Sequence, residues 1–216
     1  MLVSSRHCEH DVHFQISLPL YRFNFERSCV VSMAISVGQP APPFTLKSTK
    51  DATGPGDLGK EVSLSDYKGK WLIFFFYPLD FTFVCPTEIL ALSDRLDDFK
   101  RLGAEVLGCS CDSVYSHWAW ISTPREKNGI AGLRFPLAAD YTKETARAYG
   151  VLDEATGTSG RGLFIIDPDG KLVYAVQTAN NVGRSVDETL RVLQALQTGA
   201  LCPADWKPGK ELIKVA

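Results

Sequence analysis

The residues best placed to do chemistry lie in the stretch PLDFTFVCPTE, residues 78–88, which sets Cys85 between a strand-like run and a helix-like one. Sulfur attacks as the thiolate, and a thiol of ordinary acidity is only a few per cent ionised at neutral pH. A helix N-terminus presents unpaired N–H groups and the positive end of the dipole, both of which favour the anion. That contribution is about 0.3 to 1 kcal/mol, too little for a mostly ionised sulfur, so a cation must come from elsewhere in the chain. A sulfur activated in this way carries out nucleophilic displacement. Thr82, one turn before it, offers a hydroxyl to the thiolate or to a bound oxygen. The plain alternative for Cys85 is a small buried hydrophobe.

The flanking patterns define what must hold the thiol. WLIFFFY, residues 71–77, is apolar without alternation and reads as a parallel strand buried on both faces, which Pro78 ends. Ile89, Leu92, Leu96 and Phe99 recur at three and four, predicting an amphipathic helix over about 86–101, with Pro86 suited to its first turn. AEVLG, residues 104–108, reads as a second core strand. Helices are predicted over about 113–127, bearing Trp118 and Trp120 as core residues, and over 142–149, opened by Thr142 as a cap. Strands at 163–166 and 172–176 flank the turn sequence DPDG, 167–170, as a hairpin. Ser185 and Glu188 form a capping-box pattern before a closing helix whose apolar face includes Val186, Leu190 and Leu193. Parallel βαβ units followed by a hairpin and a helix fit an α/β class with a thioredoxin-like fold, a central mixed sheet flanked by helices.

Pro78, Thr82 and Cys85, spaced P-x-x-x-T-x-x-C, resemble the active-site signature of the peroxiredoxins. VGQPAPPF at 37–44 resembles the family's opening segment, RGLFIID at 161–167 its arginine-bearing strand, and VGRSVDE at 182–188 its last loop and helix. CPADWKPG at 202–209 is similar to the resolving-cysteine segment of the typical two-cysteine subgroup, and the likeness runs from about 37 to 210. It implies that Cys85 attacks a hydroperoxide to give a sulfenic acid, aided by Thr82, by Pro78 as a shield and by Arg161 as the required cation. Glu88 and Arg184 would support that arginine, and Cys202 of a second subunit would close a disulfide with Cys85, making a homodimer and a ring of dimers the working form. Thioredoxin or a dedicated flavoprotein reductase would recycle it, with no cofactor or metal in this chain. Taken alone, Arg161 and Arg184 could be surface ion-pair residues, Glu88 a helix-start acid and Thr82 a turn former.

Two competing classes have different requirements. A thiol-disulfide oxidoreductase needs a second cysteine beside Cys85, and Pro86-Thr-Glu88 offers none. An oligomeric holdase or a thiol redox relay is compatible with the sequence. Sensitive eukaryotic-type family members carry a Gly-Gly-Leu-Gly insertion and a Tyr-Phe pair near the C-terminus; KNGIAG at 127–132 lacks the first, and no Tyr-Phe pair follows Cys202 in a sequence ending at Ala216. Resistance to sulfinic-acid formation is the corresponding expectation.

Cys109 reads as core filling and Cys111 as strand-end, since C-x-C is not the reductase spacing. His7, Cys8, His10 and His13 have spacings that could bind a metal on a helix, but a disordered leader over 1–32 is the preferred account. That segment lacks a secretory signal, and Glu9 and Asp11 weaken a transit-peptide reading. The peroxidase domain is expected over 35–196, with a C-terminal arm over 197–216. The 216 residues, 45% apolar, suit one ordinary core plus extensions. A net charge of −2 argues against nucleic-acid binding, no apolar run reaches membrane-spanning length, and six cysteines favour a reducing, cytoplasmic setting.

Overall fold

A computed structural model describes residues 35–215. The leader and its histidine cluster lie outside the described residues. In chain order the elements are β1 (Thr45–Ser48), β2 (Lys60–Ser63), β3 (Trp71–Phe76), α1 (Cys85–Asp94), α2 (Leu96–Arg101), β4 (Ala104–Ser110) and α3 (Val114–Ile121). They continue as β5 (Leu137–Ala139), α4 (Glu144–Ala148), β6 (Leu152–Asp153), β7 (Thr158–Ser159), β8 (Arg161–Ile166), β9 (Leu172–Thr178) and α5 (Val186–Gln197).

Seven strands form one mixed sheet in the order β2-β1-β5-β4-β3-β8-β9, with β6 and β7 paired separately. β3 runs parallel to β4 and antiparallel to β8. Both faces of β3 are covered, which explains its unbroken apolar run. Ile73, Phe75 and Tyr77 pack with Cys85, Ile89, Leu92, Trp120 and Leu193 on one side. Leu72, Phe74 and Phe76 pack with Phe44, Leu107, Tyr149 and Phe164 on the other. The result is a thioredoxin-like fold in which a loop after the buried strand β3 leads into the thiol-bearing helix α1.

Several helix boundaries differ from the sequence reading. The helix expected over 86–101 breaks at Arg95 (φ −99°, ψ 11°), so that α2 restarts with Leu96 and Phe99 buried against the sheet. The helix expected to reach 127 ends at Ile121, because Pro124 supplies no N–H to the ladder; a 3-10 turn over Arg125–Lys127 follows. α4 is opened not by Thr142 but by the buried Asp140, whose carboxylate accepts the N–H groups of Thr145 (3.3 Å) and Ala146 (2.6 Å). At α5 half of the capping box forms: Ser185 Oγ accepts from Glu188 N (3.1 Å), while the Glu188 carboxylate turns outward to Arg191. The DPDG hairpin is as expected, with Asp167 accepting the N–H groups of Asp169 (3.0 Å) and Lys171 (2.8 Å).

Candidate active site

Cys85 is the first residue of α1 and is fully buried against the core face of β3. Pro86 occupies the second helical position, where a missing N–H leaves no bond unmade. β8 delivers the cation. Arg161, 3% exposed, stands at the start of that strand and donates through Nη1 to Cys85 Sγ at 3.4 Å and to Glu88 Oε2 at 2.6 Å. Its Nε donates to the Asn180 carbonyl at 2.9 Å, so one guanidinium is pinned from three directions.

Glu88, one turn after Cys85 on the same helix, ties the two arginines together. Its Oε1 accepts from the Arg184 main-chain N–H (2.8 Å) and Nε (2.7 Å), and its Oε2 from Arg184 Nη2 (3.2 Å). Arg184 Nη1 in turn donates to the carbonyls of Phe76 (2.9 Å) and Gly162 (2.6 Å), closing the ends of β3 and β8, and the guanidinium lies 5.4 Å from the Phe75 ring centroid. Two guanidiniums and one carboxylate leave this buried cluster with one positive charge in excess. The alternative of surface ion-pair residues does not hold for these arginines, since both side chains are about as buried as the carboxylate they share.

Pro78 follows β3 and is half-buried. Thr82 is close to Cys85 in sequence, but its hydroxyl donates to the Leu79 carbonyl (2.9 Å) and not to the sulfur. Its proton being engaged there, the oxygen is left as an acceptor for an O–H group entering the site. Cys202 lies past the far end of α5, half-buried, with Sγ 3.7 Å from the Ala195 carbonyl and 3.5 Å from Thr198 Oγ1. Cys85 and Cys202 are both free thiols in this chain. Trp206 anchors the following arm: it is buried, its Nε1 donates to the Lys210 carbonyl (3.0 Å), and its carbonyl accepts from Arg191 Nη1 (3.0 Å).

Cys109 is wholly buried in β4 and Cys111 half-buried just after it, as expected of core and strand-end thiols. Burial, and after it the Asp140 carboxylate, pushes the Cys109 thiol well up and that of Cys111 up to about 11. Neither is a competing nucleophile near neutral pH. Trp120 is core, as read, and its indole N–H donates to the Asn128 carbonyl (2.8 Å), while Trp118 is half-buried.

Sequence reasoning missed a second polar group under the site. Asp80, inside the motif, accepts from the Tyr77 hydroxyl (2.9 Å) and pairs with His117 Nδ1 (2.9 Å), all three buried. The signal was a carboxylate within a hydrophobic motif and a single histidine on the inner face of α3. Asn128, whose side-chain amide reaches the Thr82 carbonyl (3.0 Å), carried no signal at all. Every buried side-chain nitrogen and oxygen among the described residues has a partner.

Comparison with known proteins agrees with this geometry. The family model described as AhpC/TSA family matches residues 37–175. Peroxiredoxin-2 of Rattus norvegicus is 52% identical over 182 residues, covering 82% of this chain and 89% of that protein. Peroxiredoxin-1 of Gallus gallus is 50% identical over 182 residues, with the same coverage of 82% and 89%. Among solved structures, the reduced 2-Cys peroxiredoxin of Plasmodium vivax superposes with a TM-score of 0.78 at 40% identity, over 83% of this chain and 93% of that one. AhpC of Mycobacterium bovis gives 0.70 at 39% identity, over 81% and 99%. With a thiol-bearing helix start, a buried arginine against the sulfur and relatives at this level of identity, the chain belongs to the AhpC/TSA family and is a peroxiredoxin, a thiol-dependent peroxidase.

Proposed function

We propose that Cys85 is the peroxidatic sulfur for hydrogen peroxide and small organic hydroperoxides, and that Cys202 of a second subunit resolves it. The observation that carries this reading is Arg161 Nη1 at 3.4 Å from Cys85 Sγ in a site closed to solvent and braced by Glu88. Cys85 thiolate attacks the terminal oxygen, the O–O bond breaks, sulfur becomes a sulfenic acid, and the alkoxide or hydroxide leaves to take up a proton as alcohol or water. Arg161 meets the negative charge as it moves from sulfur towards the leaving oxygen, so its contribution grows in the transition state. Thr82 Oγ1 accepts the peroxide O–H and orients it, Pro78 limits water, and Glu88 and Arg184 hold Arg161 in place.

The second thiol then displaces water from the sulfenic acid to give a disulfide, which a thioredoxin-like or flavoprotein donor reduces by exchange. Pairing within one chain is disfavoured by distance. Arg184 marks the site at one end of α5, and Cys202 packs against Ala195 near the other, about 16 Å away at 1.5 Å per residue. A disulfide needs Cα atoms within about 7 Å. Among the described residues strand β9 ends the sheet with one unpaired edge, which suits it to pairing with a second copy in a homodimer and a ring of dimers. A cytoplasmic location fits the free thiols, and no helix among the described residues is long and apolar enough to cross a membrane. A holdase needs none of the buried arginine network, and the peroxidase reading is preferred for that reason.

The test is a non-reducing gel after one equivalent of peroxide, with Cys85→Ser and Cys202→Ser beside the wild type. A peroxide-dependent covalent dimer lost in both variants is expected. A dimer that persists in Cys202→Ser, or peroxide consumption that survives Cys85→Ser, would overturn the assignment.

A further inference from the structure

Arg161 is held by three groups, and α1 supplies only two of them. Its Nη1 meets Cys85 Sγ and Glu88 Oε2, whereas its Nε donates to the Asn180 carbonyl (2.9 Å), which lies on a short connection leaving the edge strand β9. That connection, residues 179–183, ends at Arg184, so it spans the two arginines that share Glu88.

The connection is a tight turn. The Val182 N–H donates to the Ala179 carbonyl (3.0 Å), which puts Asn180 and Asn181 at its two central positions. The common forms of such a turn differ by a flip of the peptide between the central residues, and type II requires a positive φ at the second of them. Asn181 is not in the left-handed region here, so the peptide lies as in a type I turn and the Asn180 carbonyl faces Arg161. Asparagine tolerates a positive φ, so the flipped form, with that carbonyl turned away, is open to this sequence. A contact outside the central peptide must favour the observed form. Thr178 supplies it. As the last residue of β9 it stands opposite Arg161 in the ladder, and its Oγ1 donates to the Val182 carbonyl (2.9 Å), tying the entry of the turn to its exit.

We propose that Thr178 is a positioning residue for peroxide reduction, its hydroxyl holding the turn in the form whose Asn180 carbonyl aims Arg161 at the sulfur. This rests on the reading of Cys85 as the peroxidatic sulfur. With the carbonyl in place the guanidinium is fixed from two sides, Nε by Asn180 and Nη1 by Glu88, and Nη1 stays where negative charge moves during displacement. With the peptide flipped, Arg161 keeps Glu88 but pivots about that one bond, and the reactive geometry is populated less.

Thr178→Val keeps the β-branched shape that suits a strand end and removes the hydroxyl, whereas Thr178→Ser keeps the hydroxyl. Thr178→Val is expected to lower the second-order rate constant for peroxide about two- to ten-fold, the share of one hydrogen bond, with Cys85–Cys202 disulfide formation within about two-fold of wild type. Thr178→Ser is expected to react at the wild-type rate. Stopped-flow tryptophan fluorescence separates the two steps. A double-mutant cycle tests the route: in an Arg161→Lys background, whose single ammonium does not reproduce the fork, Thr178→Val should change the peroxide rate by less than about two-fold. A wild-type rate in Thr178→Val overturns the proposal, as does a Thr178→Ser protein as slow as Thr178→Val. A loss of equal size with Arg161 and in the Arg161→Lys background also overturns it, because it marks general damage. Peroxide consumption that survives Cys85→Ser instead overturns the reading beneath it.

Discussion

Replacing Glu88 by glutamine tests the idea that one carboxylate organises the whole site. Glu88 is 4% exposed and accepts four N–H bonds, one from Arg161 and three from Arg184, at 2.6 to 3.2 Å. Glutamine keeps the volume but retains one acceptor oxygen and turns an NH2 group towards guanidinium donors. Arg161 then keeps the Asn180 carbonyl and the sulfur, and Arg184 the carbonyls of Phe76 and Gly162, so two buried cations share no carboxylate. Removing one partner of a buried ion pair costs about 3 to 5 kcal/mol. With a urea dependence of about 2 to 3 kcal/mol per molar, the unfolding midpoint of the reduced protein should fall by about 1 to 2.5 M. Protein concentration is held constant, because subunit association is linked to stability. Arg161 also loses its brace, and misplacement on that scale should lower the second-order rate constant for peroxide about a hundredfold. The comparison variant is Glu154→Gln, which breaks an exposed pair with Arg147 and should leave both quantities unchanged. A Glu88→Gln protein whose midpoint and peroxide rate match those of Glu154→Gln would refute the charge argument.

Two further outcomes follow from the same geometry. Arg161→Lys keeps the charge but not the fork that reaches Cys85, Glu88 and Asn180 together, so the second-order peroxide rate constant should drop about 10² to 10³-fold; a nearly unchanged rate in stopped-flow would show that charge alone suffices. In a background lacking Cys85 and Cys202, iodoacetamide labelling of Cys111 should climb about tenfold per pH unit and level off only near the raised value of about 11. Burial penalises the charged thiolate, so the sign is towards lower reactivity at neutral pH. A plateau near the unperturbed thiol value of about 8.5, followed by mass spectrometry of the labelled peptide, would contradict that.

Cys85, the strand before it and the helix after it were legible because local rules suffice: a doubly buried strand reads as an unbroken apolar run, and proline marks a helix start. The hairpin at Asp167 was legible for the same reason, since its turn bonds span four residues. The roles proposed for Arg161, Glu88 and Arg184 followed from likeness to a family, not from spacing, because 73 and 96 positions separate the bonded partners in the chain. Helix ends were read less well. The break at Arg95 lets α2 bury Leu96 and Phe99 against the sheet, which propensity does not encode, and the Asp140 carboxylate reaches N–H groups five and six residues on, beyond the two- or three-residue reach of an ordinary N-cap.

From the sequence alone come the candidate nucleophile, the class of fold that presents it and the presence of a second thiol beyond the last helix. Only the tertiary structure decided that one carboxylate holds two arginines, that the Thr82 proton is already engaged by Leu79, and that Asn128 reaches across to the Cys85 loop. The physical reason is range: hydrophobic period and turn chemistry act over a few residues, whereas a hydrogen bond acts over 3 Å of space between groups that any length of chain can separate.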